Sequence, residues 1–138
     1  MGQTAYLLDT NIITALVRNP HGPVFDRLRE KLPAVICTSI VAAAEVECGL
    51  CKGVSDRLRA QVLAVMGSLD VRALETPVHQ HYGKIRAYLT QRGQPIGPND
   101  LLIAAHASAL GMTLVTDKLR EFERVPGLKL ENWLVAAY

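Results

Sequence analysis

No segment of this chain is both long enough and apolar enough to cross a bilayer. The longest apolar stretch, residues 101–110, is interrupted by His106 and Ser108 and stops well short of a span. Cysteine is scarce and odd in number: Cys37, Cys48 and Cys51 have no repeated pairing, so a disulfide framework is not expected. Cys48 and Cys51 have the Cys-x-x-Cys spacing of zinc and redox sites. No second pair completes a tetrahedral site, and both stand in an apolar helix-like stretch, so they are expected as small core or boundary residues. Neither sign of charge dominates. Fifteen basic residues against thirteen acidic ones leave a formal +2, which permits nucleic-acid binding without announcing it. Repeats, low-complexity tracts and linkers are absent from the sequence. Met1-Gly2-Gln3-Thr4 offers neither the charged start nor the apolar region of a secretory leader, and the expectation is a cytoplasmic protein without a membrane partner.

What is present suits a folded globular protein. The chain has 138 residues, 49% hydrophobic and 20% charged, enough for one domain over 1–138 whose core needs no disulfide or structural metal. Strand-like and helix-like segments alternate. Residues 5–8 read as a short buried strand, 11–17 as a helix ended by Asn19-Pro20, 23–31 as a second helix, and 34–38 as a strand. Ser39 offers an N-cap to a helix reaching about Leu50, and Ser55 to another carrying Leu58, Val62, Val65 and Leu69 at helical spacing. Residues 71–74 are expected as a short strand. Pro77 opens a helix with Val78, Tyr82, Ile85 and Leu89 on one face, stopped near Gly93. Pro98-Asn99-Asp100 begins an almost wholly apolar helix that Gly111 ends. Residues 113–116 form a strand, and 128–130 a last, edge strand. This alternation implies an α/β fold with a parallel sheet and helices on both faces, and in such folds ligands bind beyond the carboxyl ends of the strands.

Asp9 and Asp117 each follow directly on a strand. Asp100 lies in the first turn of a helix, and Glu45 sits among small apolar neighbours within another. Singly, each has a plain reading as a cap, a turn residue or a solvated helix position. Together at one sheet edge, such carboxylates repel strongly if all are ionised, and a hard divalent cation relieves that repulsion. No histidine or cysteine cluster offers a softer site: His79 and His81 point different ways on a helix, and His106 reads as a packed residue. The chemistry that follows is metal-assisted hydrolysis of a phosphodiester. Periodicity does not separate Glu45 from Glu47, whose neighbours are also apolar.

These residues resemble the PIN-domain family, and within it the VapC-type toxins. Leu7-Leu8-Asp9-Thr10-Asn11-Ile12-Ile13 is similar to the family's opening strand and first acidic position. Thr38-Ser39-Ile40 through Ala44-Glu45-Val46-Glu47-Cys48-Gly49 resembles the second, with an Ala-Glu pair before a glycine, and this selects Glu45. Ile96-Gly97-Pro98-Asn99-Asp100-Leu101-Leu102-Ile103-Ala104-Ala105-His106-Ala107 resembles the third and is the most distinctive segment. Leu114-Val115-Thr116, Arg120-Glu121-Phe122 and Val125-Pro126-Gly127-Leu128 continue the likeness to the end. The resemblance implies a PIN-domain-like α/β/α sandwich with a mostly parallel central sheet, and a homodimer. It further implies a toxic endoribonuclease dependent on Mg²⁺ or Mn²⁺, with Asp9, Glu45 and Asp100 as catalytic metal ligands, and a VapB-like antitoxin as partner. The Arg-Glu-Phe-Glu-Arg-Val ending is most similar to members that cut the anticodon stem-loop of initiator tRNA.

The likeness departs in one place. The family's last acidic segment reads threonine, any residue, then aspartate or asparagine; here the third position is Lys118, and the acid stands one residue earlier. Either Asp117 serves as a fourth ligand through a local shift, or three ligands suffice and Lys118, with Thr116, contacts substrate phosphate. Basic residues on two helices (Arg27, Arg29, Lys31, Lys84, Arg86 and Arg92) are candidates for holding an RNA backbone. Two other readings stand beside the nuclease. A non-catalytic PIN-like module that binds RNA or protein is favoured by Lys118. An aspartate-nucleophile phosphatase using Asp9 is superficially matched by Asp9-Thr10-Asn11 but lacks the second aspartate two residues on.

Overall fold

The computed structural model describes residues 4–135. Strand β1 (Ala5–Leu8) forms the centre of a five-stranded sheet in the order β3-β2-β1-β4-β5, with β2 (Val35–Ser39), β3 (Asp70–Arg72), β4 (Thr113–Val115) and β5 (Leu130–Glu131). Every strand pairing is parallel. A parallel strand at the middle of such a sheet is covered on both faces, and β1 meets that demand with Tyr6, Leu7 and Leu8, all buried.

The chain moves outward from β1 through β2 to β3, then returns to the other side of β1 for β4 and β5. With right-handed crossovers, that reversal puts the earlier helices on one face and the later ones on the other. The packing agrees. Helix α1 (Thr10–Arg18) packs on α2 (Pro23–Lys31), α3 (Ile40–Cys51) and α4 (Asp56–Ser68), whereas α5 (Val78–Gln91) packs on α6 (Pro98–Leu110), with α3 also meeting α6. The α/β/α sandwich is therefore present, and its sheet is wholly rather than mostly parallel. The reversal point between β1 and β4 is where a doubly wound sheet opens a crevice.

Helix α6 shows how sequence sets packing. Leu101 and all of Ile103–Ala107 are buried, because three alanines let the helix approach closely while His106 donates to or accepts from the Ser39 hydroxyl at 2.9 Å. Burial, opposed by the Ala73 backbone, holds the His106 imidazole below its ordinary pKa, as expected of a packed residue. The helix stops at Gly111, whose φ of 66° lies in the left-handed region and whose N–H reaches the carbonyls of Ala107 and Ser108. A Cβ at Gly111 meets nothing within 4 Å, so Gly111→Ala carries a purely backbone penalty. The expected loss is about 1–2 kcal/mol of unfolding free energy, read as a lower urea midpoint at unchanged slope; an unchanged midpoint would exclude the left-handed cap.

Four readings need correction. Cys48 and Cys51 are exposed, because the buried stripe of α3 runs through Val41, Ala42 and Leu50 and leaves both cysteines on the opposite side of its last turn. The third strand is Asp70–Arg72 rather than 71–74. Its span is set by register with the end of β2 (Cys37 opposite Asp70, Ser39 opposite Arg72), and an edge strand tolerates charged residues. A short helix α7 (Leu119–Phe122) follows β4 where the sequence reading had none. The last strand is Leu130–Glu131 rather than 128–130, at the edge of the sheet beside β4. Residues 1–3, on which the leader reading rests, lie outside the described residues.

Candidate active site

Asp9 is the residue where β1 ends and α1 begins. Its N–H bonds to Val115 of β4 at 2.9 Å, and its side chain caps α1 by accepting from the Thr10 N–H at 2.8 Å. The second carboxylate oxygen accepts from Thr116 Oγ1 at 2.8 Å and Asn11 Nδ2 at 3.2 Å. The residue is 1% exposed. Burial pushes the Asp9 carboxyl above its ordinary pKa; the Thr116 and Thr10 hydrogen bonds oppose this, Asp100 adds to it, and Lys118 offsets part. The carboxylate is therefore held in a defined orientation but is short of positive charge.

Asp100 comes from the first turn of α6, where Pro98 occupies an early helical position and the helix dipole favours a negative side chain. It is nearly buried, and its Oδ2 accepts from Lys118 Nζ at 3.3 Å. Lys118 is placed by the turn after β4: its N–H donates to Thr116 Oγ1 at 3.0 Å, the same hydroxyl that donates to Asp9. Burial alone would lower the Lys118 ammonium pKa. Asp100, then Asp9 and Glu121, more than reverse that, and the net direction is upward.

Glu45 projects from α3 and is half-buried, with Oε1 accepting from Thr10 Oγ1 at 2.7 Å. It lines an open cavity of about 630 Å³ between α3 and the start of α6, together with Ile40, Cys48, Lys52 and Asn99. Glu47, its rival in the sequence, is exposed and faces Cys51 at 3.8 Å.

The structure thus brings Asp9, Asp100, Thr116 and Lys118 into one connected network and ties Glu45 to it through Thr10. Asp117 is exposed, and its link to the site is its backbone N–H, which donates to Asn11 Oδ1 at 3.2 Å. Among the described residues, no three carboxylate, imidazole or thiol groups already close around one point. The donor set nonetheless fits an oxygen-preferring cation. Its oxygens are carboxylates, one of them desolvated with its charge unbalanced, and another already holds a cation, the Lys118 ammonium. Sequence reasoning missed Thr10 and Asn11, the two residues that brace Asp9 and Glu45. Their adjacency to Asp9 in the first turn of a helix was the signal available.

The basic residues do not form one patch. Arg27, Arg29 and Lys31 belong to α2, with Lys31 paired to Glu131 at 3.3 Å, while Lys84 and Arg86 belong to α5 and Arg92 caps it. Arg86 and Arg92 lie over the rings of Tyr82 and Tyr88.

A family model for the PIN domain matches residues 6–128. The chain belongs to the PIN-domain family. Relatives of this PIN domain include the tRNA(fMet)-specific endonuclease VapC of Salmonella typhimurium, 35% identical over 93% of this chain and 97% of its own length. Ribonuclease VapC2 of Rickettsia felis is 37% identical over the same shares. Among solved structures, VapBC2 from Rickettsia felis bound to a promoter DNA fragment superposes with a TM-score of 0.89 at 32% identity, covering 94% of this chain and 99% of that one. DNA-bound VapBC from Salmonella typhimurium gives 0.86 at 34%, covering 94% and 98%. The candidate site of this PIN domain lies at the reversal point of the sheet, in a fold similar to those VapBC structures.

Proposed function

We propose that this PIN domain is the toxin of a VapBC-type pair, an endoribonuclease that hydrolyses RNA with Mg²⁺ or Mn²⁺ held by Asp9, Glu45 and Asp100. The observation that carries this reading is the Asp9 carboxylate: buried, fixed by three hydrogen-bond donors, and raised in pKa by desolvation beside a second carboxylate. Such a group is stabilised by a cation, and Asn11, standing where a phosphatase loop would carry its second aspartate, weighs against a phosphatase. When bound there, a divalent ion supplies Lewis acidity toward a phosphate and makes water more acidic near neutral pH.

The chain's own residues divide the remaining work. Thr116 and Thr10 keep the Asp9 oxygens oriented, and Thr10 also steadies Glu45 at the mouth of the α3–α6 cavity. Glu45, half-exposed, is placed to accept a proton from attacking water. Lys118 presents an ammonium with 43% side-chain exposure beside Asp100, within reach of a substrate phosphate. Asp117, on the exposed rim, is at most an outer ligand.

The name of the Salmonella relative, and the Arg120-Glu121-Phe122-Glu123-Arg124-Val125 segment, support initiator tRNA as substrate. The VapBC complexes among the structural neighbours support a VapB-like antitoxin partner. A cytoplasmic homodimer, each chain a single PIN domain over 1–138, completes the proposal; among the described residues no helix is long and apolar enough to cross a membrane.

The test is incubation of a mixed RNA pool containing initiator tRNA with Mg²⁺, Mn²⁺ or EDTA. Cleavage is expected in both metal arms and none with EDTA, with initiator tRNA cut in its anticodon stem-loop. RNA bound but uncut in every arm would establish the non-catalytic module instead. An intact initiator tRNA while another RNA is cut would remove the substrate assignment alone.

A further inference from the structure

Among the described residues, Lys118 is the lysine whose ammonium pairs with Asp100 in this acidic site, and its position is not incidental. Its backbone N–H is fastened to Thr116 Oγ1, which is itself fastened to Asp9, and the neighbouring Asp117 N–H is fastened to Asn11. One of these bonds ties the turn to Asp9, one ties it to Asn11 and one braces it internally, so the lysine stem starts from a fixed place. The stem ends with Nζ 3.3 Å from Asp100 Oδ2, and the ammonium also lies within electrostatic reach of Asp9. The turn leaves Asp117 exposed and delivers the ammonium to the carboxylates.

We propose that Lys118 stands where a second metal ion would act: it limits the site to one divalent cation, and its ammonium meets the scissile phosphate. The inference rests on the metal-dependent reading given above. Charge balance leads to it. Asp9, Glu45 and Asp100 carry three negative charges; the ammonium neutralises one and leaves two, which a single divalent ion matches. A second divalent ion, about 4 Å from the first in two-metal sites, would need Asp100 or Asp9 as a ligand at about 2.0–2.1 Å. An ammonium already sits at bonding distance from Asp100, and it would lie against that ion with like charge. With part of its surface open to solvent, the ammonium is free to leave Asp100 for a phosphate oxygen. It thereby supplies to the phosphate a positive charge at a fixed place, the service a second ion provides elsewhere.

The experiment counts Mn²⁺ on the purified full-length chain by calorimetry and electron paramagnetic resonance, for wild type, Lys118→Ala and Lys118→Asp. Wild type is expected to bind one Mn²⁺ per chain with an uncoupled spectrum. Lys118→Asp is expected to bind two, with the spectrum of an exchange-coupled pair. Lys118→Ala is expected to bind one ion at least fivefold more tightly, while RNA cleavage falls tenfold or more. A lysine with a merely structural role would not move affinity and rate in opposite directions. Two coupled ions in wild type, a single ion in a folded Lys118→Asp, or no gain in affinity in Lys118→Ala would each overturn the proposal and leave metal dependence standing. No Mn²⁺ on wild type would instead overturn the metal reading and this inference with it. If Lys118→Asp fails to fold by circular dichroism, the affinity and rate of Lys118→Ala decide alone.

Discussion

Asp9→Ala is expected to lower RNA cleavage by at least about 10³-fold while leaving a folded protein, because the residue's work is electrostatic rather than structural. The structural terms oppose one another. Losing the cap of α1 costs about 1 kcal/mol, and Thr116 Oγ1 and Asn11 Nδ2 lose the acceptor they share. Against that, an ionised carboxylate is no longer held in a buried, charge-poor place. The net change in stability is expected within about 2 kcal/mol. A second reading separates loss of the metal from loss of the fold. Mn²⁺ at 100 times its dissociation constant stabilises wild type by about 2.7 kcal/mol and raises its melting temperature, whereas Asp9→Ala should melt at the same temperature with or without the ion. Cleavage within tenfold of wild type would remove Asp9 from the reaction.

The second large effect is on stability and lies away from the site. Trp133→Ala is expected to cost about 3–5 kcal/mol, a large part of the 5–15 kcal/mol typical of a whole domain. Trp133 is fully buried, its ring tilted against Tyr6 at a centroid distance of 5.3 Å. Its Nε1–H donates to Glu131 Oε1 at 3.0 Å, and the same oxygen pairs with Lys31 Nζ at 3.3 Å. The indole therefore joins the segment after β5 to β1 and α2, and removing it opens a cavity at the sheet's edge and unseats the strand. Trp133→Phe should cost less, since the ring volume is largely kept. Urea unfolding measures both, and a loss below about 1.5 kcal/mol for the alanine variant would show that the segment contributes little.

How much of this was legible in the sequence depends on the range of the interaction. Asp9 and Asp100 were placed correctly, because a strand's carboxyl end and a helix's first turn are local features marked by Leu7-Leu8 and Pro98. The caps Ser39 and Ser55 and the stop at Gly111 were readable for the same reason. Glu45 against Glu47 was not decided by periodicity, since small apolar residues surround both; what separates them is Thr10, 35 residues away. The exposure of Cys48 and Cys51 was misread because an apolar helix does not announce which of its faces is covered. Nor did the sequence say that Lys118 turns toward Asp100. That direction is fixed by a threonine hydroxyl shared with a residue of another strand. Helix α7, four residues long, is too short for any period to register.

The strand order carries one more consequence, for the moment of synthesis. The central strand β1 is made near the start of the chain, yet its partner β4 comes late: Thr116, which orients Asp9, is separated from it by 107 residues. Chains grow from the N-terminus, and contacts of such long range form only once both ends exist. A nascent chain ending before β4 therefore has Asp9 without its threonine, without Asp100's helix seated against the sheet, and without Lys118. Any fragment released before β4 is made lacks these contacts, and they arrive together once that strand and the turn after it exist.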